Sequence, residues 1–167
     1  MTEVRDAMPQ DAAQIAAIYN HYIAHTIVTF EETPTEIDAM ALRITETQQQ
    51  GLPWLVCVVA NQVVGYAYAS KWKGRCAYRY SVEVTVYLDP NHTAAGLGST
   101  LYSALFARLT ALGYHVAIAG ISLPNPASIA LHEKFGMRKV AHFEQVGFKF
   151  ADWVDVGYWQ CLLSAPG

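Results

Sequence analysis

Charge is what this chain most lacks. Asp, Glu, Lys and Arg make up 15% of its 167 residues, and 11 basic against 14 acidic residues leave a net charge of −3. No run of five or six like charges occurs. That speaks against a nucleic-acid binder, because such proteins gain affinity by setting clustered Lys and Arg against phosphates. Cysteine is scarce too: Cys57, Cys76 and Cys161 are odd in number, far apart and in no Cys-x-x-Cys or metal-type spacing. A disulfide framework is thereby excluded and a reducing compartment expected. No stretch approaches the ~18 consecutive apolar residues that span a bilayer. Met1-Thr2-Glu3-Val4-Arg5-Asp6 carries an acid where a secretory leader has an apolar run. The expectation is a cytoplasmic, soluble protein without membrane or nucleic-acid partners.

What the chain has in quantity is apolar surface, at 53% hydrophobic residues, far above the composition of disordered segments. Glycines and prolines are scattered as punctuation and collect into no linker, and no repeat is present. The expectation is one domain over residues 1–167. After a short strand around Val4, Pro9-Gln10-Asp11 opens a helix whose apolar residues Ala12, Ile15, Tyr19 and Tyr22 recur at three- and four-residue steps. A second helix is expected to start with Thr33 as cap and Pro34 at the first helical position, and to end before Gly51. The period then shortens to two. Residues 54–60, a break at Asn61-Gln62 and residues 63–68 read as an antiparallel hairpin. From Tyr80 to Leu88 a strand places Val82, Val84, Val86 and Leu88 on one face and Glu83, Thr85 and Tyr87 on the other. Leu97, Leu101, Leu105, Leu109 and Leu112 predict a helix closed by Gly113. A strand at 115–119, a helix from Asn125-Pro126 and strands at 140–143 and 154–159 complete a mixed α/β order with an antiparallel start and a βαβ centre.

Chemistry concentrates where the strand ending at Leu88-Asp89-Pro90 leads through Gly96-Leu97-Gly98 into the leucine-periodic helix. Unpaired N–H groups at a helix start, its macrodipole and glycines that admit close approach together make an anion site. Neither a Walker lysine nor a third Rossmann glycine follows in register, which removes ATP and dinucleotide readings. The other histidines, His21, His25, His92, His115 and His142, show no spacing that closes a metal site on one element, so no metal is expected.

Over nearly its whole length the chain resembles the GNAT superfamily of acetyl-CoA-dependent N-acetyltransferases, and within it the phosphinothricin N-acetyltransferases. The resemblance is carried by several stretches: residues 18–23, Trp72-Lys73-Gly74-Arg75-Cys76-Ala77-Tyr78, Val82-Glu83-Val84-Thr85-Val86-Tyr87, residues 96–102, Leu123-Pro124-Asn125-Pro126-Ala127-Ser128, Leu131-His132-Glu133, Gly147-Phe148-Lys149 and residues 153–160. It implies a single-domain GNAT fold: a mixed, mostly antiparallel twisted sheet flanked by helices, with a central βαβ unit that binds acetyl-CoA.

The same resemblance implies the site. Pantetheine would pair with main-chain groups at Val86, Tyr87 and Leu88 like an added strand. The diphosphate would rest on Ala94, Ala95, Gly96, Leu97, Gly98 and Ser99. Where the superfamily has Gln or Arg three residues before the first glycine, this chain has Thr93, which removes a side-chain donor and predicts weaker cofactor binding. Glu83 matches the family's general base, which must take a proton before an ammonium can attack a thioester. Asn125 matches a cofactor-binding asparagine, and His132 occupies the place of the tyrosine that can protonate the departing thiolate. It is expected either to act there or to line the acceptor pocket.

The implied acceptor is the amino group of a small amino acid analogue of phosphinothricin, methionine sulfoximine or methionine sulfone type. Arg75 is expected to grip its carboxylate as a planar fork. Trp72, Lys73 and Tyr78 would assist, and Phe30 and Glu31 would form the opposite wall. Transfer would be direct in a ternary complex, since no cysteine is paired with a base, and strand N–H groups near Tyr87 would stabilise the thioester oxygen. The apolar segment from Trp153 to Trp159 suggests a homodimer contact. Two rivals remain from sequence: the same fold acting on a protein N-terminus or polyamine, and a non-catalytic CoA-binding sensor.

Overall fold

The structure, a computed structural model, describes residues 1–93 and 95–163. Ala94, expected above to touch the cofactor, lies outside the described residues. Strands β1 (Thr2–Asp6), β2 (Trp54–Val59), β3 (Gln62–Lys71), β4 (Ser81–Leu88), β5 (Val116–Ser122), β6 (Arg138–Lys149) and β7 (Asp152–Leu162) form one sheet in the order β1-β2-β3-β4-β5-β7-β6. Neighbours pair antiparallel except β4 and β5, which run parallel. Helices α1 (Ala12–His25) and α2 (Ile37–Gln49) cover one face, and α3 (Leu97–Ala111) crosses the other between β4 and β5. Helix α4 (Pro126–Lys134) follows β5. This is the mixed, mostly antiparallel sheet with a βαβ centre that the resemblance implies. Among the described residues no helix is long and apolar enough to cross a membrane.

The leucine period explains α3. Leu97, Leu101, Leu105 and Leu109 are buried against Leu55, Val64, Val82 and Ala117, each gaining about 1.5–3 kcal/mol from burial. Leu112 is exposed because the helix ends at Ala111 and Gly113 turns the chain at φ +89. On the opposite face, Ile15, Ile23, Met40 and Ile44 pack with Val56, Tyr66 and Tyr87.

Several boundaries differ from the sequence reading. Helix α2 starts at Ile37 with Glu36 as its cap residue, not at Thr33-Pro34. The Asn20 side chain takes both the N–H and the C=O of Thr35 at 2.7 and 3.0 Å, which holds that segment out of the helix. The β2–β3 turn is Ala60-Asn61, both at positive φ, and Gln62 already pairs with Val59. Strands β6 and β7 are longer than expected. The side chains of β6 mostly face outward at the sheet edge and carry no clean alternation.

Candidate active site

The parallel pairing of β4 with β5 has three rungs and ends at Glu83 opposite Ile118. Beyond it β4 stays paired with β3 up to Leu88, and β5 with β7 up to Ser122. The facing edges separate and leave β4 with main-chain groups that no strand takes up. In this fork lies a groove of about 490 Å³, walled by Val86, Tyr87 and Leu88 on one side and by Asn125, Ser128 and Leu131 on the other. Its far end is the start of α3, where Gly96 at φ +71 precedes the helix and Gly98 sits under Leu131. A side chain at Gly98 would meet Leu131 Cδ2 at 3.2 Å, so glycine keeps this approach open.

The groove thus collects seven of the expected cofactor residues: Val86, Tyr87, Leu88, Gly96, Gly98, Ser99 and Asn125. Ala95 and Leu97 are not on its wall. Ala95 is exposed, and the Leu97 side chain is in the core, so only its backbone is left to serve the site. Asn125 also caps α4, its Oδ1 accepting from the Ser128 N–H at 3.1 Å, which leaves its amide N–H₂ for a ligand. Thr93 is on the wall, and so is Lys134, which the sequence reading missed. Lys134 comes from the last turn of α4 and donates to Ser99 Oγ at 3.0 Å. It restores at the mouth of α3 the cation that Thr93 does not supply.

A second cavity, of about 450 Å³, contains Glu83 together with Phe30, Ser122, Val156 and Tyr158, and the exposed Phe143 and Val146 form its outer wall. Val28 lines both cavities, so they meet there. Among the described residues the Glu83 carboxylate has no hydrogen-bond partner, and burial alone raises its pKa above the ordinary 4.5. Val146 reaches this cavity from an irregularity in β6 between Phe143 and Gly147. Asp155 fixes that irregularity, accepting from the Gln145 N–H at 2.8 Å and pairing with His142 at 2.8 Å.

The other expected acceptor residues are spread more widely. Trp72 meets the Glu83 cavity only through Tyr158, against whose ring it packs edge-on at 5.6 Å. Lys73, Arg75 and Tyr78 line a separate cavity of about 330 Å³ with Lys71 and Arg79, and no Asp or Glu is on its wall among the described residues. Glu31 is committed elsewhere. Arg43 binds it through both guanidinium nitrogens at 2.9 and 3.1 Å, and the Tyr19 hydroxyl donates to it. Arg43 accordingly holds the Glu31 pKa down, while burial and Glu31 push Tyr19 up to about 12.

His132 is on the wall of neither cavity. It is 4% exposed, its Nδ1–H donates to the Ser128 carbonyl at 2.7 Å, and its Nε2 accepts from the buried Tyr102 hydroxyl at 2.8 Å. Both ring nitrogens are occupied, and burial lowers its pKa below 6.5. Among the described residues no group of three or more His, Cys, Asp or Glu could hold a metal ion.

Residues 4–157 match the family model for the acetyltransferase (GNAT) domain. The chain belongs to the GNAT acetyltransferases. This acetyltransferase is 42% identical over 168 residues to a phosphinothricin N-acetyltransferase of Streptomyces viridochromogenes, covering 98% of this chain and 89% of that one. It is 37% identical over 161 residues to an L-methionine sulfoximine/L-methionine sulfone acetyltransferase of Salmonella typhimurium, covering 96% and 94%. A crystal structure of a GNAT superfamily phosphinothricin acetyltransferase from Sinorhizobium meliloti in complex with AcCoA superposes with a TM-score of 0.94 at 38% identity, covering 98% of this chain and 89% of that one. The acetyltransferase is therefore a GNAT enzyme that uses acetyl-CoA and acts on a small amine.

Proposed function

We propose that the acceptor is the amino group of a small amino acid analogue of the phosphinothricin, methionine sulfoximine or methionine sulfone kind. The observation that carries this reading is the meeting of the two cavities at Val28, which sets a half-buried carboxylate, without a hydrogen-bond partner among the described residues, beside the groove along β4. Relatives that cover nearly the whole chain act on such acceptors.

Acetyl-CoA fits the groove, with the β4 edge at Val86, Tyr87 and Leu88 offering main-chain groups to its amides, although the Leu88 carbonyl already accepts from the Tyr22 hydroxyl, and with Gly96, Gly98, Ser99 and Lys134 receiving its phosphates. When bound it supplies an acetyl group activated as a thioester. The chain's own part is to remove the ammonium proton at a Glu83 carboxylate oxygen, which burial makes more basic than an ordinary glutamate. Main-chain N–H groups near Tyr87 draw electron density from the carbonyl under attack. Val28, Phe30, Val146 and Val156 exclude water and suit a short apolar side chain. In this reading the cations for the acceptor carboxylate are Arg75 and Lys73, which line the separate cavity that has no Asp or Glu among its described residues. His132 takes no part, since its ring nitrogens serve Ser128 and Tyr102.

The protein works as a homodimer in this reading, with a correction to where the contact lies. Within the 153–159 segment, Val154, Val156 and Trp159 are buried and only Trp153, at 59% exposure, is an outward-facing large apolar residue. The exposed apolar face belongs instead mainly to β6, at Val140, Phe143, Val146 and Phe148. Since Phe143 and Val146 also wall the Glu83 cavity, a second copy covering them closes that cavity from water. Sedimentation at micromolar concentration is expected to report a dimer, and a monomer at all concentrations contradicts it.

The functional reading is tested by following thiol release from acetyl-CoA against a panel of amino acids, their sulfone, sulfoximine and phosphinate analogues, polyamines and peptides. Turnover is expected to be highest with the analogues and to lose acceptor affinity in Arg75→Ala. Preference for a peptide or polyamine, or no turnover at all, overturns it.

A further inference from the structure

The stretch Gly147-Phe148-Lys149 stands out in the sequence, yet neither the groove nor the Glu83 cavity includes Gly147 or Lys149. Lys149, at the end of β6, is only 3% exposed. Its ammonium donates to the carbonyls of Thr26 and Thr29 at 2.7 and 2.8 Å and lies 5.1 Å from the centre of the Phe150 ring. No carboxylate comes within ion-pair distance of it among the described residues. A buried ammonium with no acid in contact is costly even with the Glu32 carboxylate attracting it from a distance, and an apolar side chain of the same length would spare the fold that cost. Its presence requires another reason, and its two partners give one. Both carbonyls belong to the strap that leaves α1, and a helix C-terminus favours a cation.

That strap carries Val28, which lines both cavities, and Phe30, which walls the acceptor side. Gly147 seats the same strap from β6. A Cβ at this position would stand 2.3 Å from Phe30 Cζ, so only glycine lets the phenyl ring lie down on the strand. Two residues of one strand therefore hold one loop, Lys149 by its backbone and Gly147 by its aromatic side chain.

We propose that Lys149 and Gly147 are positioning residues for acceptor binding, setting the 26–31 strap at the height where Phe30 walls the acceptor cavity and Val28 shapes its junction with the cofactor groove. This rests on the reading of the Glu83 cavity as the acceptor site. Neither residue touches the reacting atoms, and both act through the strap.

The test is steady-state kinetics of Lys149→Met, Lys149→Arg and Gly147→Ala with L-methionine sulfoximine and acetyl-CoA varied in turn, alongside thermal midpoints. Lys149→Met is expected to raise the acceptor KM about tenfold while the acetyl-CoA KM moves by less than about threefold, a split that partial unfolding does not produce. Lys149→Arg, which keeps cation and donors, is expected to recover most of the loss. Gly147→Ala is expected to raise the acceptor KM about fivefold through Phe30 alone, and it decides the matter if Lys149→Met fails to fold. An acceptor KM within about twofold of the unmodified protein in the folded variants overturns the proposal and leaves the acceptor reading standing. If the unmodified protein fails to acetylate the sulfoximine, the acceptor reading falls and takes the proposal with it.

Discussion

Glu83 on β4 faces Ile118 on β5 as the last rung that joins the two strands. The carboxylate consequently stands where the sheet begins to fork, half-buried among side chains and open to the cavity that meets the groove along β4 at Val28. At either neighbouring position of β4 the side chain would turn to the opposite face, where Val82 and Val84 are buried in the core against α3.

Burial raises the Glu83 pKa above 4.5, and the ionised form is the one that accepts a proton. Activity should therefore rise with pH through that elevated value. The pH profile of kcat/KM is expected to show an acid-side limb with its midpoint above 4.5, and a midpoint at or below the ordinary value contradicts the assignment. The sign for stability is the reverse. A carboxyl whose pKa is higher folded than unfolded stabilises the fold below its unfolded value and loses that contribution as pH rises through the folded one. Glu83→Gln is thus expected to be at least as heat-stable as the unmodified protein at pH 7.

Lys134 carries the charge that the glycine loop lacks, through its contact with Ser99 at the start of α3. Lys134→Met is expected to weaken acetyl-CoA binding by about threefold to tenfold, the effect of one partly exposed charge, and to reduce the salt dependence of binding. Calorimetric titration at two ionic strengths measures both. An unchanged dissociation constant removes Lys134 from the site.

For His132 the expectation concerns stability. His132→Ala leaves the Tyr102 hydroxyl buried without a partner, at a cost of about 1–3 kcal/mol, read as a lower denaturation midpoint. Because burial depresses the His132 pKa below 6.5, the unfolded chain binds more protons between the two values, and stability falls as pH drops below 6.5. That loss should shrink in the variant. An equally steep loss below pH 6.5 contradicts this account.

The sequence made most legible what local periodicity carries. The leucine rows of α3 and the alternation that turns Glu83 away from Val82 and Val84 follow from steps of 3.6 and 2 residues, and both hold in the structure. The fork was not legible, since it depends on where two strands about 35 residues apart stop pairing, which no local pattern encodes. Nor was the separation of Arg75 from Glu83, because the 72–80 loop follows its own turn hydrogen bonds at Tyr78 and Arg79. The surroundings of His132 were not legible for a related reason: a helix position gives the spacing of a side chain, and only the neighbouring Tyr102 on α3 shows that its ring is already bonded. Glu31 likewise reads as part of the acceptor wall until Arg43, twelve residues on, is folded back against it.

The central claim is that Glu83 takes the proton of the bound amine. The direct measurement is the turnover of Glu83→Gln set beside its acetyl-CoA dissociation constant. The account predicts a fall in kcat of about 10²- to 10⁴-fold with cofactor binding unchanged. Turnover close to that of the unmodified protein would contradict it.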